Sequence, residues 1–127
     1  MKRVKDMVAD ANEKIRCISA SEAKEMLGRE DIQFVDLRDV RELQRDGMIP
    51  GAFHCPRGML EFWVDPESPY AKPQFQADKT FVLYCASGWR SALSTLVVQE
   101  MGLPKVAHIT EGFKGWVAAD GEVATKE

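Results

Sequence analysis

Long apolar runs are missing from this sequence. The longest, from Phe81 to Ala86, falls far short of the roughly 20 apolar residues that a helix needs to cross a bilayer. No apolar signal-peptide core follows Lys2 and Arg3, and the nearby acidic residues argue against a transit peptide, a class that is poor in acids. We therefore expect no membrane partner and a cytoplasmic location.

Cysteine and histidine are both scarce. Among 127 residues there are 3 cysteines and 2 histidines. The odd number and irregular spacing of Cys17, Cys55 and Cys85 do not fit a disulfide framework, so we expect reduced thiols. His54 and His108 lie far apart, with no Cys or His at zinc-finger spacing, and the sequence therefore predicts no metal site.

An excess of positive charge is also missing. The chain has 17 Lys and Arg against 20 Asp and Glu, which gives a formal net charge of −3. A nucleic-acid partner is not expected, because binding to phosphates requires a basic surface. The hydrophobic fraction of 45% and the length fit one globular domain with its own core.

What the sequence does contain is a regular alternation of strand-like and helix-like segments. We predict strands over residues 17–18, 32–37, 52–55, 80–84 and 106–109. The fourth of these is apolar throughout, which is typical of a parallel strand covered by helices on both faces. The alternation predicts an α/β fold, with a small central parallel sheet flanked by helices on both faces.

The chain is predicted to have three parts. Apolar residues at helical spacing indicate an extra amphipathic helix at the amino terminus, over residues 1–16. One domain follows over residues 17–120, and residues 121–127 form a short tail. The first helix has an apolar face that could dock on the core or bind a second copy, so a homodimer is a candidate assembly.

Two capping boxes predict where helices begin inside the domain. Ser19 is followed three residues later by Glu22, and the helix that they open ends at Gly28. Asp39 and Glu42 have the same spacing. In each pair the first side chain accepts a backbone N–H and the acid reaches back to the capping residue, which satisfies two free donors of the helix.

Cys85 lies where the apolar strand ends and the next helix begins, the edge at which open parallel sheets bind ligands. Ser87 and Gly88 are small enough for successive backbone N–H groups to turn inward and form an anion-binding nest. These donors and the dipole of the following helix favour a thiolate at Cys85, and Arg90 adds a positive charge. The predicted site loop comprises Ala86, Ser87, Gly88, Trp89 and Arg90. A buried structural cysteine is the alternative.

Other charged residues near this edge have plainer interpretations. Arg57 follows the third strand and is a candidate anion contact, although an exposed surface arginine is the simpler interpretation. Asp36 and Arg38 end the second strand, and the spacing of Arg38 and Glu42 favours a structural ion pair between them.

The remaining cysteines and most large aromatic residues are expected to be structural. Cys17 and Cys55 have no comparable loop, so a resolving role for Cys55 has no support in the sequence. We expect Phe62, Trp63 and Trp116 to belong to the core, because each lies at a helical position. Trp89 is expected to be exposed because it lies in the loop.

Four segments resemble, in order, the pattern of the rhodanese family. They are residues 32–38 with Glu42, residues 47–52, residues 85–91 and residues 111–116. The resemblance extends from about residue 18 to residue 116, and the cysteine loop is its most diagnostic part. The chain departs from the family at Met48, often histidine there, and at Ala86, often a basic residue. The second departure leaves Arg90 as the only charge in the loop.

The resemblance implies a single-domain rhodanese-like fold and a thiosulfate sulfurtransferase-type activity. Cys85 would take sulfane sulfur from a donor such as thiosulfate, hold it as a persulfide, and pass it to a thiol or cyanide acceptor. The implied chemistry needs no metal and no organic cofactor.

Two alternatives stay open at this point. The first is a non-catalytic rhodanese-like module that binds a protein or senses redox state. The second is a cysteine-dependent phosphatase of the same fold. It is disfavoured because such phosphatases place five residues between cysteine and arginine, whereas four separate Cys85 from Arg90.

Overall fold

The computed structural model describes residues 1–126. Helices and strands alternate along nearly the whole chain. The elements are α1 (Val4–Lys14), β1 (Arg16–Ile18), α2 (Ala20–Met26), β2 (Ile32–Asp36), α3 (Val40–Asp46), β3 (Phe53–His54), α4 (Leu60–Val64), β4 (Thr80–Tyr84), α5 (Trp89–Met101), β5 (Val106–Ile109) and α6 (Gly112–Ala118). Two short 3-10 helices, Arg57–Met59 and Pro73–Gln76, lie between β3 and β4.

The strands form one parallel sheet of five strands in the order β1-β5-β4-β2-β3. Leu83 of β4 lies opposite Val35 of β2 on one side and His108 of β5 on the other. The fold prediction is confirmed, including β4 as the central strand. Because all strands are parallel, their carboxyl ends meet at one edge, where Cys85 follows β4.

Two apolar clusters cover the two faces of the sheet. Alternate side chains of β4 point to opposite faces, so Val82 and Tyr84 join one cluster while Phe81 and Leu83 join the other. The first cluster includes α2 and α6 through Ala23 and the fully buried Trp116. The second includes residues of α4 and α5. β4 is therefore covered on both faces, as its continuous apolar sequence predicted.

The amino-terminal helix packs on α5 rather than on the sheet. Val8 and Ala11 of α1 are buried against Ala92 of α5. The helix ends at Lys14, and Arg16 already belongs to β1, so it is shorter at both ends than the predicted 1–16. At its carboxyl end the change comes from the pairing of Arg16 with Ala107 of β5, which requires an extended backbone.

Both predicted capping boxes are present. Ser19 accepts the backbone N–H of Glu22 at 3.1 Å, and Glu22 accepts that of Ser19 at 3.1 Å. Asp39 and Glu42 make the equivalent reciprocal contacts at the start of α3. The sequence therefore located these two helix starts correctly, because a capping box is a local interaction.

The predicted ion pair between Arg38 and Glu42 is wrong. The guanidinium of Arg38 instead binds both carboxylate oxygens of Asp36, at 3.0 and 2.8 Å, and also donates to the carbonyl of Gly47 at 2.7 Å. Arg38 and Asp36 are both buried, and the Arg38 Cζ atom lies 4.3 Å from the ring centroid of Phe113. The pair lies beneath the functional edge of the sheet, where the turn after β2 folds the arginine inward.

Two further sequence predictions need correction. Phe62 is not part of the core: it is 51% exposed and meets Tyr70 edge to face, because α4 presents this position outward. Trp89 and Arg90 do not belong to a loop but form the first turn of α5, although Trp89 is 50% exposed as expected. Trp116 is fully buried as predicted.

The segment after α6 folds back onto the domain. Met48 and Ala124 exchange two backbone hydrogen bonds of 2.9 and 2.8 Å. The indole N–H of Trp116 donates to the carbonyl of Glu122 at 2.8 Å. Glu127, the last residue of the predicted tail, lies outside the described residues. Within residues 1–126 no helix has the length and apolar character needed to span a membrane.

Candidate active site

The sulfur of Cys85 lies in front of the amino terminus of α5. The residue is 1% exposed, and its Sγ accepts the backbone N–H of Gly88 at 3.2 Å and that of Ser91 at 3.4 Å. Gly88 is the N-cap of α5 and has no capping side chain, so the sulfur accepts hydrogen bonds where a cap would. Free N–H groups at a helix start carry partial positive charge, which favours an anionic sulfur.

The turn between β5 and α6 holds the cysteine loop in place. The backbone N–H of Phe113 donates to the carbonyl of Cys85 at 2.7 Å. Gly88 has φ of +96°, and a Cβ atom there would collide with the carbonyl of Thr110. Both facts require glycine at position 88, because another residue would be strained and would push the two turns apart. Two of the four family-like segments therefore meet at this point.

Arg90 is held by Glu42 in a two-pronged ion pair. Nitrogen–oxygen distances are 2.8 and 3.0 Å, and the side chains are 40% and 20% exposed. Hydrogen bonding from Arg90 holds the pKa of Glu42 below its usual range. Glu42 also caps α3 through the N–H of Asp39. Sequence reasoning treated Arg90 as a free charge and missed this partner, which lies 48 residues away.

Arg57, the predicted anion contact, also has an acidic partner. Its guanidinium binds Glu61, one helical turn later, at 2.7 Å, and its side chain is 32% exposed. The backbone N–H of Arg57 donates to the carbonyl of Leu37, which keeps it at the carboxyl edge of the sheet. Arg57 therefore lies near the carboxyl edge of the sheet, but its positive charge is neutralised by Glu61.

A chain of polar contacts leads from Cys85 through α5 and β5 to the amino-terminal helix. The hydroxyl of Ser91 lies 3.6 Å from the Cys85 sulfur and 2.8 Å from Nδ1 of His108. Nε2 of His108 lies 2.8 Å from Oδ1 of Asn12 and 3.6 Å from the sulfur of Cys17. Ser91 and His108 are fully buried, whereas Cys17 is exposed.

Sequence reasoning left Ser91 and His108 out of the site. A signal was present: His108 is the only polar residue of the apolar strand β5. A polar side chain on a buried strand needs a hydrogen-bond partner, which should prompt a search for one. The sequence alone did not identify Ser91 as the hydrogen-bond partner of His108, because the two residues meet only through the packing of α5 against β5.

Lowering the pH from 7 to 5 is expected to reduce the free energy of unfolding by about 2 kcal/mol through His108. Burial lowers the pKa of His108 from 6.5 to about 4. Between these values the unfolded state binds a proton that the folded state does not, so stability is greatest above pH 6.5 and falls as the pH drops. Urea unfolding at both pH values measures the effect. In His108→Gln most of this pH dependence should be lost. An equal change in the free energy of unfolding in the wild type and in the variant would contradict the prediction.

The other two cysteines differ from Cys85 in their surroundings. Cys55 is fully buried, and desolvation raises the pKa of its thiol to about 12, as expected for a structural cysteine. Cys17 is exposed and lies in β1, a strand at the edge of the sheet, where it pairs with His108. All three are free thiols, and no group of three or more potential metal ligands occurs within residues 1–126.

A depression of about 660 Å³ lies at the opposite edge of the sheet. Phe75, Lys79, Met101 and Lys105 are among its lining residues, and the lining contains no cysteine, serine or histidine. Lys79 precedes β4 whereas Cys85 follows it, so the length of the strand separates the two places. The depression is not part of the cysteine site.

Comparison with known proteins identifies a family for most of the chain. Residues 19–119 match the family described as Rhodanese-like domain. A thiosulfate sulfurtransferase of Glaesserella parasuis is 26% identical over 103 residues, which cover 81% of this chain and 87% of that protein. The mouse thiosulfate sulfurtransferase/rhodanese-like domain-containing protein 3 is 26% identical over 105 residues, which cover 79% of this chain and 67% of the mouse protein.

A solved structure from Rhodopseudomonas palustris is much more similar. It is a protein of unknown function described as a possible tyrosine phosphatase, with 51% sequence identity and a TM-score of 0.94. The match covers 97% of this chain and 95% of that one. The family match includes four of the five strands together with Cys85 and its loop. This chain belongs to the rhodanese-like domain family.

Proposed function

We propose that this protein is a sulfurtransferase that carries sulfane sulfur on Cys85 as a persulfide. The observation that carries the proposal is the pair of backbone N–H groups, from Gly88 and Ser91, that donate to the Cys85 sulfur. Fixed donors aimed at a reacting atom stabilise negative charge on it without reorganisation during the reaction. Relatives named as sulfurtransferases support the same assignment.

The transfer takes two displacement steps. In the first, the Cys85 thiolate attacks the outer sulfur of thiosulfate, a new sulfur–sulfur bond forms, and sulfite leaves with the electron pair of the broken bond. In the second, a thiol or cyanide acceptor attacks the outer sulfur of the persulfide, and Cys85 leaves as a thiolate. Electrons balance without an external oxidant, so no metal or organic cofactor is required.

The proposal extends to partners and location. The partners are a small sulfur donor, a thiol or cyanide acceptor, and a second copy of the chain bound through α1, where Val4 and Met7 are 49% and 42% exposed. Neither nucleic acid nor membrane is among them. Persulfide chemistry requires a reduced cysteine, and the three free thiols fit the cytoplasm, where thiols are kept reduced.

Intact mass measurement tests the function directly. The protein is incubated with thiosulfate, or with another sulfane donor, and then freed of small molecules. We expect one added sulfur atom, and we expect cyanide to remove it with formation of thiocyanate. If no donor among several produces the adduct, a non-catalytic module that binds a protein or senses redox state becomes the better explanation.

Phosphatase activity is a second candidate because of the description given to the Rhodopseudomonas palustris protein. Two features of the loop weigh against it. Only four residues separate Cys85 from Arg90, and the guanidinium of Arg90 is already bound by Glu42. Turnover of para-nitrophenyl phosphate at a rate that depends on Cys85 would favour the phosphatase.

Glu42→Gln is expected to make Cys85 more reactive toward anions, because the variant leaves Arg90 with an unbalanced positive charge. Glutamine preserves the capping box, so α3 should be unaffected. We expect the ratio of the Cys85 alkylation rates with iodoacetate and iodoacetamide to rise about fivefold, as for one unit charge acting in a partly solvated site. Mass spectrometry of the Cys85 peptide measures both rates.

The matched control for this variant is Glu100→Gln, which changes the net charge equally near the far end of α5. It lies ten residues beyond Arg90 on α5, a distance of about 15 Å along the helix. Its ratio should equal that of the wild type. A Glu42→Gln ratio that also stays at the wild-type value would show that Arg90 does not act on the sulfur.

A further inference from the structure

We propose that Ser91 and His108 form a hydrogen-bond relay whose proton positions follow the charge on the Cys85 sulfur. The contacts run without a break from Sγ of Cys85 to the hydroxyl of Ser91, and from there to Nδ1 of His108. The inference rests on the proposed function, in which Cys85 must change between thiol and thiolate. It makes Ser91 and His108 positioning residues of the reaction.

When Cys85 is a thiol, the donor and the acceptor of each hydrogen bond in the relay are determined. Oδ1 of Asn12 is an acceptor 2.8 Å from Nε2 of His108, so Nε2 carries the imidazole hydrogen and Nδ1 is an acceptor. The hydroxyl of Ser91 then donates to Nδ1. A lone pair of Ser91 Oγ is left facing Cys85, whose S–H donates to it.

When Cys85 is a thiolate, the same lone pair would face a negative charge. The favourable arrangement turns the Ser91 hydroxyl hydrogen toward sulfur, because hydrogen bonds to charged groups are stronger than those between neutral groups. Nδ1 of His108 must then carry the imidazole hydrogen and donate to Ser91 Oγ. The proton count balances: the thiol proton moves to Oγ, the hydroxyl proton moves to Nδ1, and the Nε2 proton is released to water.

The outer nitrogen of His108 has a partner in both states. Oδ1 of Asn12 accepts when Nε2 carries the hydrogen. When Nε2 is bare, the thiol of Cys17, 3.6 Å away, can donate to it, and the side-chain amide of Asn12 must rotate so that its NH2 group, not Oδ1, faces Nε2. Asn12 belongs to α1 and Cys17 to β1, and both lie before the part of the chain that matches the family, residues 19–119. The amino-terminal helix therefore completes the relay.

His108 works in this relay as a neutral group. Burial lowers its pKa to about 4, so the imidazole is uncharged wherever a cysteine titrates. The charged group that acts on it is Glu111, in the turn after β5, whose Oε1 accepts the N–H of Ala20 at 2.9 Å. Cys17 is the other titratable group in contact with the imidazole. A change of tautomer, not of charge, is the response open to His108.

Nitrogen NMR of histidine-labelled protein tests the relay, because the two imidazole nitrogens have different shifts when bare and protonated. We expect the ratio of His108 tautomers to change about 10- to 100-fold across the pH range in which Cys85 ionises, as expected for a hydrogen bond to a charged group. The ultraviolet thiolate absorbance, as the difference between wild type and Cys85→Ser, locates that range. His54 is the internal reference, since its Nε2 lies 2.7 Å from the carbonyl of Arg38 and should keep its hydrogen.

Two serine variants separate the relay from general packing. Ser91→Ala should abolish the tautomer response of His108 and slow the alkylation of Cys85 at pH 7 about tenfold, since the thiolate loses a donor. Ser94→Ala is the matched control: Ser94 is also buried on α5, but its hydroxyl donates to the carbonyl of Arg90. It should behave as the wild type in both measurements.

The outcomes distinguish the relay from the sulfurtransferase proposal. A protein that loads sulfur while His108 keeps hydrogen on Nε2 at every pH overturns the relay and leaves the function standing. A His108 response that persists unchanged in Cys85→Ser also overturns the relay. A response present in the wild type, but with no sulfur loaded from any donor, supports the relay and rejects the function.

Discussion

Cys85→Ser is expected to abolish the loading of sulfur, with the rate of persulfide formation falling by about 10³-fold or more. A hydroxyl at the start of α5 keeps the two backbone donors but does not ionise in the accessible pH range, so no nucleophile forms. The fold should be retained, because serine is close in size to cysteine and Gly88 and Ser91 can donate to its oxygen. Intact mass after incubation with thiosulfate is the measurement.

The other two cysteines provide matched controls for this experiment. Cys17→Ser and Cys55→Ala should each load one sulfur, since neither thiol lies in front of a helix amino terminus. Cys55 in addition has its pKa raised to about 12 by burial, which keeps it a thiol. A loss of loading in Cys55→Ala at normal stability, or loading that persists in Cys85→Ser, would contradict the assignment of Cys85.

Asp36→Ala is expected to lower the free energy of unfolding by about 3–5 kcal/mol. The variant leaves the guanidinium of Arg38, which is 1% exposed, without its carboxylate partner. An uncompensated buried charge costs far more than the pair contributes, because no water replaces the lost contacts. Since small domains have only about 5–15 kcal/mol of stability in total, much of it would be lost. Urea unfolding at pH 7 measures the change.

Asp46→Ala is the control for this prediction. Asp46 makes an ion pair with Arg45 at 2.8 Å, but the side chains are 68% exposed for Arg45 and 44% exposed for Asp46. Water replaces the lost contact there, so we expect a change of about 1 kcal/mol or less. Equal effects of the two variants would show that burial of Arg38 and Asp36 does not set the energy of their pair.

Local signals in the sequence predicted most of the framework. The capping boxes at Ser19 and Asp39 and the continuous apolar strand before Cys85 gave helix starts and the central strand, because each depends on neighbours in the chain. The end of α1 was predicted less well. Arg16 pairs with Ala107 of β5, and this distant partner overrides the helical pattern of the residues before it.

Side-chain partners that depend on tertiary packing were predicted poorly. Arg38 was assigned to Glu42, yet Arg38 binds Asp36 and Glu42 binds Arg90. The spacing of four residues between Arg38 and Glu42 indicates an ion pair only when both lie on one helix, and Arg38 precedes α3. The exposed position of Phe62 was missed because a short helix has too little periodicity to show its buried face.

The sequence by itself determined that the chain is an α/β domain of the rhodanese family, with Cys85 at a strand-to-helix junction, because order along the chain and local residue types are enough for both. Only the tertiary structure decided what surrounds that sulfur. Glu42 and Arg90 form an ion pair although they are 48 positions apart in the sequence. In the contacts that run from Ser91 through His108 to Asn12, the last two residues are 96 positions apart. Such contacts depend on how helices pack on the sheet, and packing is set by the whole core rather than by any one segment.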